Sequence, residues 1–163
     1  MKKNSVFSKA ILFACSVLLV QQGLAADQTA FPKGSQQSFK GPEQYFTGDV
    51  AVEMLFPANA TAHYSGAYVT FQPGARTAWH SHPAGQHMVI ISGTGLTATR
   101  DGKVIHFSAG DSIWCPPDID HWHGATLDAP MTHLVITGSL DGNNVVWKEK
   151  VSETDFLHAL QGK

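Results

Sequence analysis

In the stretch GARTAWHSHPAGQ, residues 74 to 86, His80 and His82 alternate and Gln86 follows four residues later. Alternate side chains of an extended strand share a face, so both imidazoles point the same way. Pro83, Ala84 and Gly85 can bend the chain so that Gln86 returns toward them. Further on, HWHGA sets His121 and His123 on one face of a second strand. Three imidazoles converging from two strands suit one divalent transition ion, from Zn, Mn, Fe, Co, Cu or Ni. Imidazole binds a metal through one neutral nitrogen while an acceptor holds the other. A lone histidine on a strand is commonly a hydrogen-bonded core residue; two His-x-His pairs on glycine-bounded strands point to chemistry.

The same parity nominates a pocket. In GAYVTF, Ala67, Val69 and Phe71 share a face, and in MTHLVITG so do His133, Val135 and Thr137. If His121 points inward, His123 does too. Histidine titrates near neutral pH, so His123 and His133 are candidate catalytic bases. Small residues at Ala67 and Val69 leave room for a substrate. His63, His87, His106 and His158 lack partners at useful spacing and read as structural or surface residues. Trp79, Trp114 and Trp122 read as barrel packing, Arg76 as a rim salt bridge, and Cys115 as a buried thiol.

The elements that must position these groups are strands. VAVEMLF, AYVTF, HMVIIS, LTATR, KVIHF, SIWC, HLVITGS and NVVWKEK are short runs rich in Val, Ile, Thr and aromatics, separated by turn signals such as QPGA, SGTG and SAGD. This spacing predicts an antiparallel sandwich or barrel. RDGK suits a hairpin with a type I′ turn. SETDFLHALQ predicts a C-terminal helix, capped by Ser152 with Asp155 at the capping-box position.

The first 25 residues join a basic start, MKKNSVFSKA, to the apolar run ILFACSVLLV and small residues, as a cleaved secretory signal does. A lipoprotein box at Cys15 is the lesser alternative. Residues 26–48 read as a polar N-terminal arm, 49–150 as the β-barrel and 151–163 as helix and tail. Losing Lys2, Lys3 and Lys9 with the leader takes 11 basic residues to 8 against 13 acidic ones, a net charge of −5. No basic patch survives for nucleic acid. With Cys15 gone, Cys115 has no disulfide partner.

The chain resembles the cupins, small β-barrel proteins with two signature motifs. Gly74, His80, His82 and Gly93 match the first, with Gln86 in the place of a glutamate. Gly110, Pro116 and His121 match the second, with Asp118 for a glycine and Ala125 for an asparagine. The resemblance implies an all-β, single-domain cupin, a double-stranded β-helix or jelly-roll barrel, with the short helix appended. It implies the metal ligands His80, His82, Gln86 and His121. An amide at position 86 leaves the cation its full charge, which favours Lewis-acid work on an anion-forming substrate.

GPEQYFTG, GDSIWCPP, HWHGA and MTHLVI extend the resemblance to small bacterial cupins that include the manganese-dependent hydroxynitrile lyases. This implies manganese as the metal and cleavage of a cyanohydrin to an aldehyde and hydrogen cyanide, with His123 or His133 moving the proton. A metal-dependent dioxygenase and a non-catalytic periplasmic module binding a sugar or small acid are the competing expectations; a decarboxylase or isomerase also fits. The expected partners are a small-molecule substrate and further copies of the chain, as a dimer or tetramer. The expected location is the periplasm or the medium, with no membrane association once the leader is removed.

Overall fold

The computed structural model describes residues 27–162, so the leader expected over residues 1–25 lies outside the described residues. The chain runs through β1 (Ser38–Lys40), β2 (Phe46–Thr47), β3 (Val50–Phe56), β4 (Tyr64–Phe71), β5 (Arg76–Thr77), β6 (His80–Ser81) and β7 (Gln86–Ser92). It continues through β8 (Thr94–Thr99), β9 (Val104–Ser108), β10 (Ser112–Cys115), β11 (His121–Ala125), β12 (Met131–Gly138), β13 (Val146–Trp147) and α1 (Glu153–Gln161). No described helix is long and apolar enough to cross a membrane.

One sheet has the order β1-β3-β4-β12-β7-β10. The other runs β13-β6-β11-β5-β2, with β8 on β11 and β9 on β8. Every pairing is antiparallel, as the short, turn-punctuated strands require. In β12 the burial alternates strictly: Met131, His133, Val135 and Thr137 are buried, and the residues between them are half-buried. That is the signature of a strand with one face on a core and one toward solvent. Its inward side meets Phe46, Val52, Val69, Phe71, Met88 and Ile90 in the barrel core.

β11 breaks the alternation, being buried along its whole length. Both of its faces are covered. His121 and His123 look into the barrel, while Trp122 packs outward on Phe156 of α1, ring centroids 5.8 Å apart, beside Leu96 and Ala98. The helix begins where Ser152 accepts a hydrogen bond from the Asp155 N–H at 3.0 Å and donates its hydroxyl to the Asp155 carboxylate at 2.7 Å. Burying Phe156 is worth roughly 2–3 kcal/mol, which holds this short helix on the barrel.

Four details depart from the expectations. Within the segment read as an arm, β1 pairs with β3 and β2 pairs with β5, so its second half is woven into both sheets. The β8–β9 hairpin forms, but only Gly102 in its turn has positive φ, at 83°, so the turn is not type I′. Asp101 instead accepts hydrogen bonds from the Thr99 hydroxyl at 2.5 Å and the Lys103 N–H at 3.3 Å, and holds a wider loop. Of NVVWKEK only Val146 and Trp147 form a strand, and the chain stays tied to Trp79 beyond it, Lys148 donating its N–H to the Trp79 carbonyl at 2.9 Å and the Glu149 carbonyl accepting the Trp79 N–H at 3.0 Å. Trp114 stays half in solvent, lying on His87 with ring centroids 4.5 Å apart, because its parity in β10 turns it outward.

Candidate metal centre

His80 lies in β6, His82 just beyond it, Gln86 opens β7 and His121 opens β11. His80 and His121 are cross-strand partners, with ring centroids 4.4 Å apart. His82 sits 5.0 Å from His80 and 5.4 Å from His121 by the same measure. One nitrogen from each of the three can be chosen so that all lie within 4.8 Å of one another.

Two backbone features bring these residues together. Gly85 adopts φ 77° and donates its N–H to the His82 carbonyl at 3.2 Å, which closes the turn back to Gln86. A side chain there would strike the Trp114 ring. Asp118 donates its N–H to the same carbonyl at 3.1 Å and holds φ 60°. This is the left-handed conformation a glycine takes freely and an aspartate tolerates, so the replacement of glycine at 118 leaves the loop geometry intact.

Each of the three rings is held by a backbone carbonyl on its Nδ1: His80 by Ala78 at 2.9 Å, His82 by Asn144 at 2.6 Å and His121 by Ile119 at 3.0 Å. A carbonyl only accepts, so Nδ1 carries the hydrogen and Nε2 keeps its lone pair. The Nε2 atoms of His82 and His121 are buried without a partner. Gln86 donates its Nε2 to the Thr137 hydroxyl at 2.9 Å, and its Oε1 is likewise buried and unpartnered. Buried acceptors in this state cost roughly 1–3 kcal/mol each. A divalent cation would satisfy the convergent histidine nitrogens, and a neutral amide oxygen is a suitable further ligand, so these residues fit a metal. Burial depresses all three imidazoles: His80 falls well below the usual histidine range, helped by His121 and His82, His82 falls to about 4, and His121 is lowered more modestly. The rings are therefore neutral, the form that coordinates.

Beside this group lies a cavity of about 320 Å³. His80, His82, Gln86, His123 and His133 are among its polar lining, and Ala67, Val69 and Phe71 are among its apolar walls. At its edge Tyr45 and Trp147 stack with centroids 4.7 Å apart and planes within 15°, and Trp147 lies 4.9 Å from His80. His133 is fully buried, and neither of its ring nitrogens has a partner. Burial pushes it down to about 3, and burial together with the neighbouring His133 and His80 rings pushes His123 well below its ordinary value. The expectation that these two titrate near neutrality is therefore corrected: desolvation keeps both uncharged.

The profile of the cupin domain matches residues 67–137. Over 123 residues the chain is 46% identical to an (R)-mandelonitrile lyase of Granulicella tundricola, covering 76% of this chain and 94% of that one. The chain belongs to the cupin family. The crystal structure of a cupin-like protein from Thermotoga maritima superposes on this cupin with a TM-score of 0.71 at 34% identity, covering 83% of this chain and 100% of the other. A cupin-2 domain of Rhodospirillum rubrum, at 17% identity and a TM-score of 0.58 over 83% of this chain and 88% of its own, shares the fold alone.

In this cupin the barrel brings His80, His82 and His121 together, and Gln86, His123, His133, Ala67, Val69 and Thr137 line a cavity with His80 and His82. Arg76 is elsewhere. It is buried under α1, pairs with Glu153 at 2.8 Å and lies 4.4 Å over the Phe156 ring. It is a salt bridge as expected, but only its Glu153 end is exposed, the guanidinium being buried beneath the helix. Cys115 is buried with its thiol pushed up to about 12, too high for a nucleophile. His63, His87, His106 and His158 are exposed. Sequence reasoning missed Tyr45, Phe46, Thr77 and Trp147, all of which line the cavity. The aromatic pair in the otherwise polar arm was the available signal for the first two. Thr77 accepts the His123 N–H at 3.1 Å, and nothing in its local pattern marks it.

Proposed function

We propose that this cupin is an exported, metal-dependent carbon–carbon lyase that cleaves a cyanohydrin into an aldehyde and hydrogen cyanide. The observation that carries the reading is the unpartnered His133 in an apolar cavity beside a neutral three-histidine, one-amide donor set, in a chain similar to a mandelonitrile lyase along most of its length. Export rests on the leader alone. His80, His82, His121 and Gln86 would hold the cation, with manganese the first choice. Bound there, it supplies Lewis-acid polarisation of a substrate oxygen, undiminished by any ligand charge.

The protein's own groups do the rest. Phe71, Tyr45 and Trp147 offer flat apolar surface to an aryl group, and Ala67 and Val69 keep the space beside it open. An unpartnered nitrogen of His133 or His123 accepts the hydroxyl proton. The carbon–carbon bond breaks, its electron pair leaves with cyanide, the carbonyl forms, and the proton is returned to cyanide. Both imidazoles are neutral at rest, as a base must be. Their low proton affinity favours prompt return of the proton to the leaving group. The buried walls keep water from competing for it.

The test is to load the purified protein with Mn, Fe, Zn, Ni or Co in turn and follow benzaldehyde and cyanide release from mandelonitrile and alkyl cyanohydrins. Metal-dependent release of both products supports the lyase. Oxygen uptake without cyanide release would move the protein to the dioxygenases, and ligand-induced stabilisation without turnover would make it a binding module. We further propose that the chain assembles as a dimer or tetramer. Ile91 and Trp114, each 48% exposed, are apolar enough to be covered, and light scattering on the purified protein reads the mass.

A further inference from the structure

We infer that Thr137 is a positioning residue for the metal centre, acting through Gln86; the inference rests on the metal reading above. Gln86 and Thr137 are direct cross-strand partners of β7 and β12. Both are buried, at 5% and 7% exposure. The Gln86 Nε2 donates to the Thr137 hydroxyl at 2.9 Å, while the Gln86 Oε1 has no partner.

A carboxylate at this position could turn either oxygen toward a cation. An amide cannot, because one of its two ends is a donor. A half-turn about its last torsion would aim N–H at the cation and withdraw the only atom able to coordinate. Something must therefore hold the amide nitrogen away from the histidines. Thr137 supplies the acceptor that does so, and among the described residues no other hydrogen bond of the Gln86 side chain is present. The need for a partner at 137 is thus a consequence of having glutamine at 86. A hydroxyl on the facing strand meets it without adding charge, which keeps the donor set neutral.

The alternative is that Thr137 only fills space in the barrel. The two roles separate in metal affinity. Thr137→Val keeps the volume and removes the acceptor, leaving a buried amide N–H unsatisfied. Removing a partner that orients a ligand typically weakens metal binding about 10–100-fold, so the Mn dissociation constant, measured by chelator competition, should rise by at least about tenfold. Thr137→Ser restores the hydroxyl and most of the affinity. In a Gln86→Ala background, Thr137→Val should cause no additional loss, because the residue it acts through is gone. Melting temperatures of the metal-free proteins report any loss of folding. Equal affinity in wild type and Thr137→Val overturns the inference and leaves the metal reading standing. So does a loss that persists undiminished without Gln86. Wild-type protein that binds no divalent ion overturns both.

Discussion

His123 and His133 meet inside the barrel with ring centroids 5.0 Å apart and planes at 86°, and neither ring nitrogen of His133 has a hydrogen-bond partner. An unsatisfied imidazole held this deep has no structural return from its polarity. Replacing it with an apolar ring of similar shape should leave stability unchanged or raised. His133→Phe is therefore expected to keep its melting temperature and its metal content while kcat on a cyanohydrin falls about 10²–10⁴-fold, the contribution typical of a positioned acid or base. Unchanged kcat would make His133 a packing residue.

Removing metal should soften the fold. A ligand bound at 100 times its dissociation constant stabilises the native state by about 2.7 kcal/mol. Chelator should lower the melting temperature of wild type by several degrees. His121→Ala loses an Nε2 donor from the cluster and should no longer respond to chelator. A response as large as that of wild type would place the bound metal elsewhere.

Acid should destabilise the metal-free protein in a definite window. Unfolded histidines take up a proton near pH 6.5, whereas folded His82 waits until about 4 and His133 until about 3. Across that interval the unfolded chain binds more protons, so stability rises with pH and is lost as pH falls. Each such histidine costs about 1.4 kcal/mol per pH unit within its window. Thermal melts at a series of pH values should be flat above about 7 and steepen below about 6.5, and His133→Phe should be shallower by about one proton. A profile flat through pH 5 would show that the buried rings do not resist protonation.

The helix should be held by Phe156 rather than by its visible ion pair. Phe156→Ala opens a cavity against Trp122 and should cost about 3–5 kcal/mol in denaturant unfolding. Glu153 is mostly exposed, so Glu153→Gln should cost less than about 1 kcal/mol despite the 2.8 Å contact to Arg76. The reverse ranking would mean that electrostatics dock the helix.

Gln86→Glu tests why the centre carries an amide. The added negative charge should tighten metal binding and lower kcat, because the cation then polarises the substrate oxygen less. Tighter binding with undiminished kcat would remove charge retention as the reason for the glutamine.

Much of the site was legible because strands have a period of two. Once His80 and His82, or His121 and His123, are placed on strands, each pair must share a face, and Ala67 with Val69 or His133 with Thr137 follow by parity. The capping residue Ser152 was legible because a cap is a local hydrogen bond. Tyr45 and Trp147 were not legible. Their neighbours in sequence are polar or turn-forming, and only the pairing of β2 with β5 and of β13 with β6 carries them to the cavity. Trp114 and Arg76 deceived for a related reason. Whether an aromatic lies inside, or a charge at the rim, depends on what covers that face of the sheet.

The sequence by itself determined the antiparallel β class, the turns that punctuate it and the pairing of imidazoles able to ligate a metal, because alternation, glycine placement and imidazole character are properties of neighbouring residues. Only the tertiary structure decided that His82 is locked by the carbonyl of Asn144, that the Gln86 amide is held by Thr137 and that His133 is left without a partner. Those facts follow from the sheets closing on each other. Closure brings residues more than fifty positions apart into hydrogen-bond range and strips water from the groups it leaves unpaired, and no local pattern encodes either.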